Sequence, residues 1–209
     1  MNEIFDRQGL AAARPVGVLA LQGSFPLHMR ALRRLGVESR AVTRPEHLDG
    51  LGALILPGGE STVQSLLARD YGLFEPLRQL ARGGLPCFGT CAGAILLGTG
   101  AGEPPRLEAA PVELSRNAYG RQIDSFTAPL ALAPFESPFH GVFIRSPRIV
   151  GIVSGTPTAS AVEVLGTHGG DPVLVRAGHI ILATFHPELT DDLRLHRYFL
   201  EACAAHATR

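Results

Sequence analysis

Residues Pro86 to Gly98 place the tightest constraint on how this chain can fold. Pro86-Cys87-Phe88 has the character of a buried strand end, and Ala94 to Leu97 that of a helix. Between them stands Gly89-Thr90-Cys91-Ala92-Gly93, the Gly-x-nucleophile-x-Gly pattern of a strand-to-helix elbow with cysteine at its tip. Such a turn is so tight that side chains at the two glycine positions would strike neighbouring backbone. A thiol at the tip faces the free N–H groups of a helix start, which favour negative charge and can hold an oxyanion. Read alone, the pentapeptide also fits a glycine-punctuated turn around an inert buried cysteine.

The preceding chain supplies a sheet for the elbow. Pro15 to Leu21 is almost continuously apolar, the mark of a strand covered on both faces, and Gln22-Gly23-Ser24 breaks it. Phe25, Leu27, His28, Ala31, Leu32 and Leu35 recur at helical spacing until Gly36. Val37 to Val42 and Ala53 to Leu56 read as the next strands, and Val63 to Leu80 as one or two helices, with Ser61 or Thr62 as a cap. This order implies a parallel sheet between helical layers. Pro57-Gly58-Gly59-Glu60-Ser61-Thr62 and the elbow both follow apolar strands, so both fall on the carboxyl edge, where open α/β sheets collect ligands.

Beyond Gly98 the pattern changes. Ala101 to Pro111 is a Gly/Pro-rich loop. Short β-type runs follow at 111–114, 125–128, 141–144, 148–153, 161–165, 172–175 and 179–184. Gly169-Gly170-Asp171 and Ala177-Gly178 suggest hairpins between some of them, and Asp191 to Ala205 reads as a terminal helix. The expected fold class is therefore α/β: a three-layer, open, mostly parallel sheet flanked by helices, with added β-hairpins. Met1 to Arg14 is expected to be a flexible extension, and residues 15–209 a single domain.

Composition removes several function classes. Lys+Arg and Asp+Glu both number 19, so no net field draws the chain to nucleic acid or an anionic membrane. No apolar run approaches the roughly 18 residues that span a bilayer, and the start of the chain lacks the basic-then-apolar order of a signal peptide. The three cysteines cannot all pair and have no zinc-knuckle spacing. A reduced, cytoplasmic setting with one thiol free for chemistry is the expectation, with no metal.

A cysteine nucleophile needs a base and a group that orients the base. Of the eight histidines, His28 and His196 fall on helices and read as surface or half-buried side chains. His47, His140, His168 and His206 lie in polar or terminal stretches, and His179 opens a strand. His186 differs. It follows the apolar strand ending at Phe185 and so stands at the carboxyl edge, level with Cys91. Pro187 stiffens the turn, and Glu188 can return to the ring nitrogen that does not face the thiol.

Gly-Thr-Cys-Ala-Gly with a later Phe-His-Pro-Glu-Leu resembles the Cys-His-Glu site of class I glutamine amidotransferases. Further stretches resemble one subfamily, the glutaminase subunits of pyridoxal 5′-phosphate synthase: Leu54 to Thr62, Arg116-Asn117, Tyr119 to Phe126, Val142 to Pro147 and Phe185 to Thr190. The resemblance implies that Cys91 attacks the amide of L-glutamine, that His186 handles the proton, and that Glu188 holds the ring. It implies oxyanion donors at Ala92 and Gly59, the Gly58-Gly59 peptide rotating as a switch. It also implies glutamine contacts from Gly59, Glu60, Ser61, Arg116, Ile144 and Arg145, with Glu60 suited to the ammonium and Arg116 or Arg145 to the carboxylate. A cap at Glu60-Ser61 and surface ion pairs at the arginines are the structural alternatives. No cofactor is implied. The implied partner is a separate (β/α)8-barrel synthase subunit that receives the ammonia in a hetero-oligomer. Two other readings stay open: a glutaminase serving a different synthase, and a silent regulatory module of the same fold.

Overall fold

Strands that are apolar at every position must be covered on both faces, and two helical layers do this here. The computed structural model describes residues 14–100, 102–116, 125–153 and 161–207. Its first half alternates strands and helices: β1 (Val16–Leu19), α1 (Phe25–Arg34), β2 (Ser39–Val42), β3 (Ala53–Leu56), α2 (Ser61–Asp70), α3 (Phe74–Arg82), β4 (Cys87–Thr90) and α4 (Ala92–Leu97). The second half is strand-rich: β5 (Val112–Ser115), β6 (Phe126–Leu130), β7 (Phe139–Phe143), β8 (Arg148–Ile152), β9 (Val162–His168), β10 (Asp171–Ala177), β11 (Ile180–Ala183) and finally α5 (Arg194–Ala207). The expected extension and most of the Tyr119–Phe126 motif lie outside the described residues.

The central sheet runs β2-β1-β3-β4-β11-β10-β9. Its first five strands are parallel, and the hairpins joining β9, β10 and β11 add an antiparallel edge. The expected α/β class with added hairpins is therefore what forms. Because β2 and β3 flank β1, the winding reverses between β1 and β3, and a crevice opens at the carboxyl ends of those strands. Two small antiparallel pairs, β5–β8 and β6–β7, lie outside the sheet. Among the strands, the largest boundary shift is at β9, which runs on to His168 rather than ending at Leu165 because Gly166, Thr167 and His168 pair with Leu174, Pro172 and Asp171 of β10.

Period-two alternation divides the core between the two faces. Leu54 and Leu56 of β3 pack with Leu77, Ala81 and Ile95, whereas Ala53 and Ile55 pack with Leu32, Phe88 and Phe199. Leu54, Ile55 and Leu56 are all 0% exposed, so truncating any of them to Ala costs roughly 2–5 kcal/mol. That rigidity fixes the height at which the Pro57–Gly59 turn and Cys91 emerge side by side. Among the described residues, no helix is long and apolar enough to cross a membrane.

Candidate active site

Cys91 sits where β4 ends and α4 begins, with φ 47° and ψ −103°, a conformation that a residue with a side chain rarely adopts. Its N–H donates to the Ala183 carbonyl at 2.9 Å, and its own carbonyl accepts from the Ile95 N–H at 3.2 Å. A Cβ on Gly93 would overlap the Leu56 carbonyl, and one on Gly89 would lie 2.8 Å from Ala94 N. Gly93 thus lets α4 seat on β3, and Gly89 lets the first turn of α4 close down onto β4. The surrounding structure holds the thiol at the lip of the crevice.

His186 follows β11, and its N–H donates to the Val142 carbonyl at 2.8 Å, tying it to β7. Pro187–Leu189 form one 3-10 turn, which returns Glu188 beneath the ring. His186 Nδ1 lies 2.8 Å from Glu188 Oε1. An ionised carboxylate only accepts, so Nδ1 carries a proton and Nε2 is left for the thiol. Ser24 Oγ donates to the same Oε1 at 2.6 Å.

Burial works against charge on His186, yet its hydrogen bonds with Cys91 and Glu188 and the negative charge of Glu188 raise its pKa to about 10. Burial would likewise raise the Glu188 pKa, but His28, His186 and Ser24 pull it down to about 2. At neutral pH the pair is therefore imidazolium and carboxylate. The raised His186 pKa contributes stability that is full below about 6.5 and is lost as pH rises through about 10. The lowered Glu188 pKa contributes stability that is full above about 4.5 and is lost as pH falls through about 2.

In front of Cys91 and His186 is a cavity of about 230 Å³. Gly59, Glu60, Ser61, Ala92, Arg116, Ile144 and Arg145 all line it, so the structure gathers every residue predicted for the oxyanion and the substrate. Glu188 stands behind His186. Arg145 shares with Cys91 a positive φ, 43°, in a side-chain-bearing residue. Gly58 lies against the imidazole so closely that a Cβ there would collide with the ring. Its carbonyl accepts from the Ser24 N–H at 3.0 Å, which turns the Gly59 N–H away from Ser24 across the trans peptide.

Some assignments change. Glu60, not Ser61 or Thr62, caps α2: its carboxylate accepts from the Thr62 N–H at 3.2 Å. Glu60 also lies 3.5 Å from Arg116, whose Nη1 donates to Thr62 Oγ1 at 2.7 Å, so the cap and the ion pair coexist on one wall. His28 and His196, expected at or near the surface, are both 0% exposed and stand behind Glu188. Sequence reasoning missed Gln22, Ser24, His28 and His196. Gln22 and Ser24 had one usable signal, the abrupt polar break after an apolar strand. Gln22 lines the cavity and its Oε1 accepts from the Glu60 N–H at 3.0 Å.

Known proteins resemble this chain in sequence and fold. A relative from Pelotomaculum thermopropionicum, pyridoxal 5′-phosphate synthase subunit PdxT, is 50% identical over 192 residues, covering 90% of this chain and 94% of its own. PdxT of Thermus thermophilus is 52% identical, covering 89% of this chain and 96% of its own. A solved glutamine amidotransferase superposes with a TM-score of 0.81 at 50% identity, over 90% of this chain and 98% of its own. Residues 18–205 match the SNO glutamine amidotransferase family, and the chain belongs to it.

Proposed function

We propose that this chain is the glutaminase subunit of a pyridoxal 5′-phosphate synthase, hydrolysing L-glutamine to L-glutamate and ammonia. One observation carries the reading: a thiol on a strained elbow shares one cavity with a histidine whose Nδ1 is held at 2.8 Å by a buried carboxylate. Its relatives, named as that synthase's PdxT subunit, support the substrate and the partner.

With the proton already on His186, Cys91 Sγ attacks the side-chain amide carbon. The C=O electrons move onto oxygen, which the N–H groups of Ala92 and Gly59 receive; each such donor typically lowers the barrier by about 3 kcal/mol. His186 then protonates the amide nitrogen, the C–N bond breaks, and ammonia leaves a γ-glutamyl thioester. Now neutral, His186 takes a proton from water, whose oxygen attacks the thioester. The C–S bond breaks with its electron pair on sulfur, glutamate departs, and His186 again carries the proton. Glu188 holds the ring in register throughout. Glu60 receives the substrate ammonium, and Arg116 and Arg145 the α-carboxylate, with Ser61 and Ile144 completing the walls. Ammonia passes to a (β/α)8-barrel synthase subunit, and the pair works in the cytoplasm.

Glutamate release by the full chain, measured with and without the synthase subunit, tests this. Activity should rise on mixing and fall by at least about 10³-fold in Cys91→Ala. Release that Cys91→Ala leaves unchanged would end the proposal.

A further inference from the structure

Glu188 has two carboxylate oxygens, and the triad uses one. Oε1 accepts from His186 and Ser24. Oε2 is fully buried with no hydrogen bond of ordinary geometry, and His28 Nε2 lies 3.4 Å from it. The same Nε2 is 3.2 Å from Thr90 Oγ1, next to the nucleophile in sequence. On the ring's other side, His28 Nδ1 is 2.9 Å from His196 Nε2. His28 comes from α1 and His196 from α5, and Phe88 stands edge-on to both rings.

Two constraints orient the protons in the same sense. The ionised Oε2 only accepts, so the nitrogen facing it, His28 Nε2, must carry hydrogen. His28 Nδ1 is then a lone pair and must receive the Nε2–H of His196. This leaves His196 Nδ1, buried and without a partner, as a bare lone pair, which is more readily tolerated than a stranded N–H.

We infer that His28 is a positioning residue for the proposed glutaminase site: its Nε2–H, fixed by His196, holds the outer oxygen of Glu188 and extends the relay to Cys91–His186–Glu188–His28–His196. The groups facing His28 are Glu188 and His186 from the post-β11 turn, His196 from α5 and Thr90 from β4. Burial lowers the pKa of His28, and that of His196 to about 3, so both rings are neutral at neutral pH. His28 therefore offers the carboxylate a dipole and leaves the cationic role to His186. The inference rests on the glutaminase reading for its kinetic consequences only.

The test compares His28→Leu, an apolar replacement, with His28→Gln, whose amide can restore a donor near Nε2, both assayed as the complex with the synthase subunit. Leu should lower kcat by on the order of 10- to 100-fold with the KM for glutamine within about twofold, since among the described residues His28 does not line the cavity. It should also move the acid limb of kcat/KM to higher pH, because losing a donor to the charged form raises the Glu188 pKa. Gln should recover most of the rate and the parental limb. Parental kcat and pH profile in Leu, or equal losses in Leu and Gln, would overturn the inference. If Leu does not fold, nitrogen NMR of the parent decides: Nε2 of His28 should be protonated and Nδ1 bare at pH 7. The reverse tautomer, or a doubly protonated ring, overturns it. A parent that releases no glutamate would end the glutaminase reading and leave this NMR outcome standing.

Discussion

Two buried histidines meet the same carboxylate and end with opposite proton counts. His186 lies 2.8 Å from Glu188 Oε1 and is protonated, its pKa raised to about 10. His28 lies 3.4 Å from Oε2, and burial lowers its pKa. One carboxylate carries one negative charge, and the nearer ring takes the matching proton. The positive charge on His186 then disfavours a second on His28. Access sharpens the difference: His186 keeps 8% of its side chain exposed beside the cavity, while His28 has none. A few tenths of an ångström and one open face thus separate a proton carrier from a fixed dipole.

Removing the nearer ring breaks this comparison most severely. His186→Gln should lower kcat by about 10³- to 10⁴-fold, measured as glutamate release, because the leaving amide nitrogen loses its proton source. The same variant should raise the pH at which His28 gains a proton, since the opposing cation is gone and Glu188 remains. Titrating His28 by NMR in parent and variant checks this. An unshifted His28 would mean that burial alone keeps it neutral.

A smaller effect comes from moving the ring rather than deleting it. A Cβ on Gly58 would overlap His186 Cε1, so Gly58→Ala must push the imidazole off its 2.8 Å contact or displace the turn that carries Gly59. Misplacement by about 1 Å is expected to cost roughly 10²-fold in kcat. Thermal stability should fall less than for an equally buried core truncation. Full activity in Gly58→Ala would show that the turn can yield without disturbing the ring.

The nearer ring was legible in the sequence and the farther one was not, for a physical reason. Cys91, His186 and Glu188 each stand just past an apolar strand, and strand ends of a parallel sheet share one edge, so local pattern brings them together. Glu188 is two residues from the ring it holds. His28 and His196 are 168 residues apart, on two helices whose only common feature is the sheet face they cover. Helical periodicity placed His28 among apolar neighbours, yet that pattern is the same for a core side chain and for one aimed at a charge. The cap was only partly legible for a related reason: Glu60, Ser61 and Thr62 all compete for such a position, and only the fold shows that the Glu60 carboxylate turns back onto the helix. The sheet itself was readable nearly throughout, because its central strands are buried at every position and almost wholly apolar.

The mildest test removes the far end of the relay. His196 must stay neutral when folded, its pKa lowered from 6.5 to about 3 by burial and by His28. The unfolded chain therefore binds the extra proton first as pH falls below about 6.5, and stability is lost on acidification down to about 3. At pH 5 this amounts to about 2 kcal/mol. His196→Phe keeps an aromatic ring against Phe88 and removes that loss, but it strands His28 Nδ1 without its donor, at about 1–3 kcal/mol. The variant should accordingly be less stable than the parent at pH 8, and the gap should close or reverse by pH 5. Denaturant melts at the two pH values measure it. A gap of constant size would mean that His196 is not the group that takes up the proton, and that the neutral end of the relay lies elsewhere.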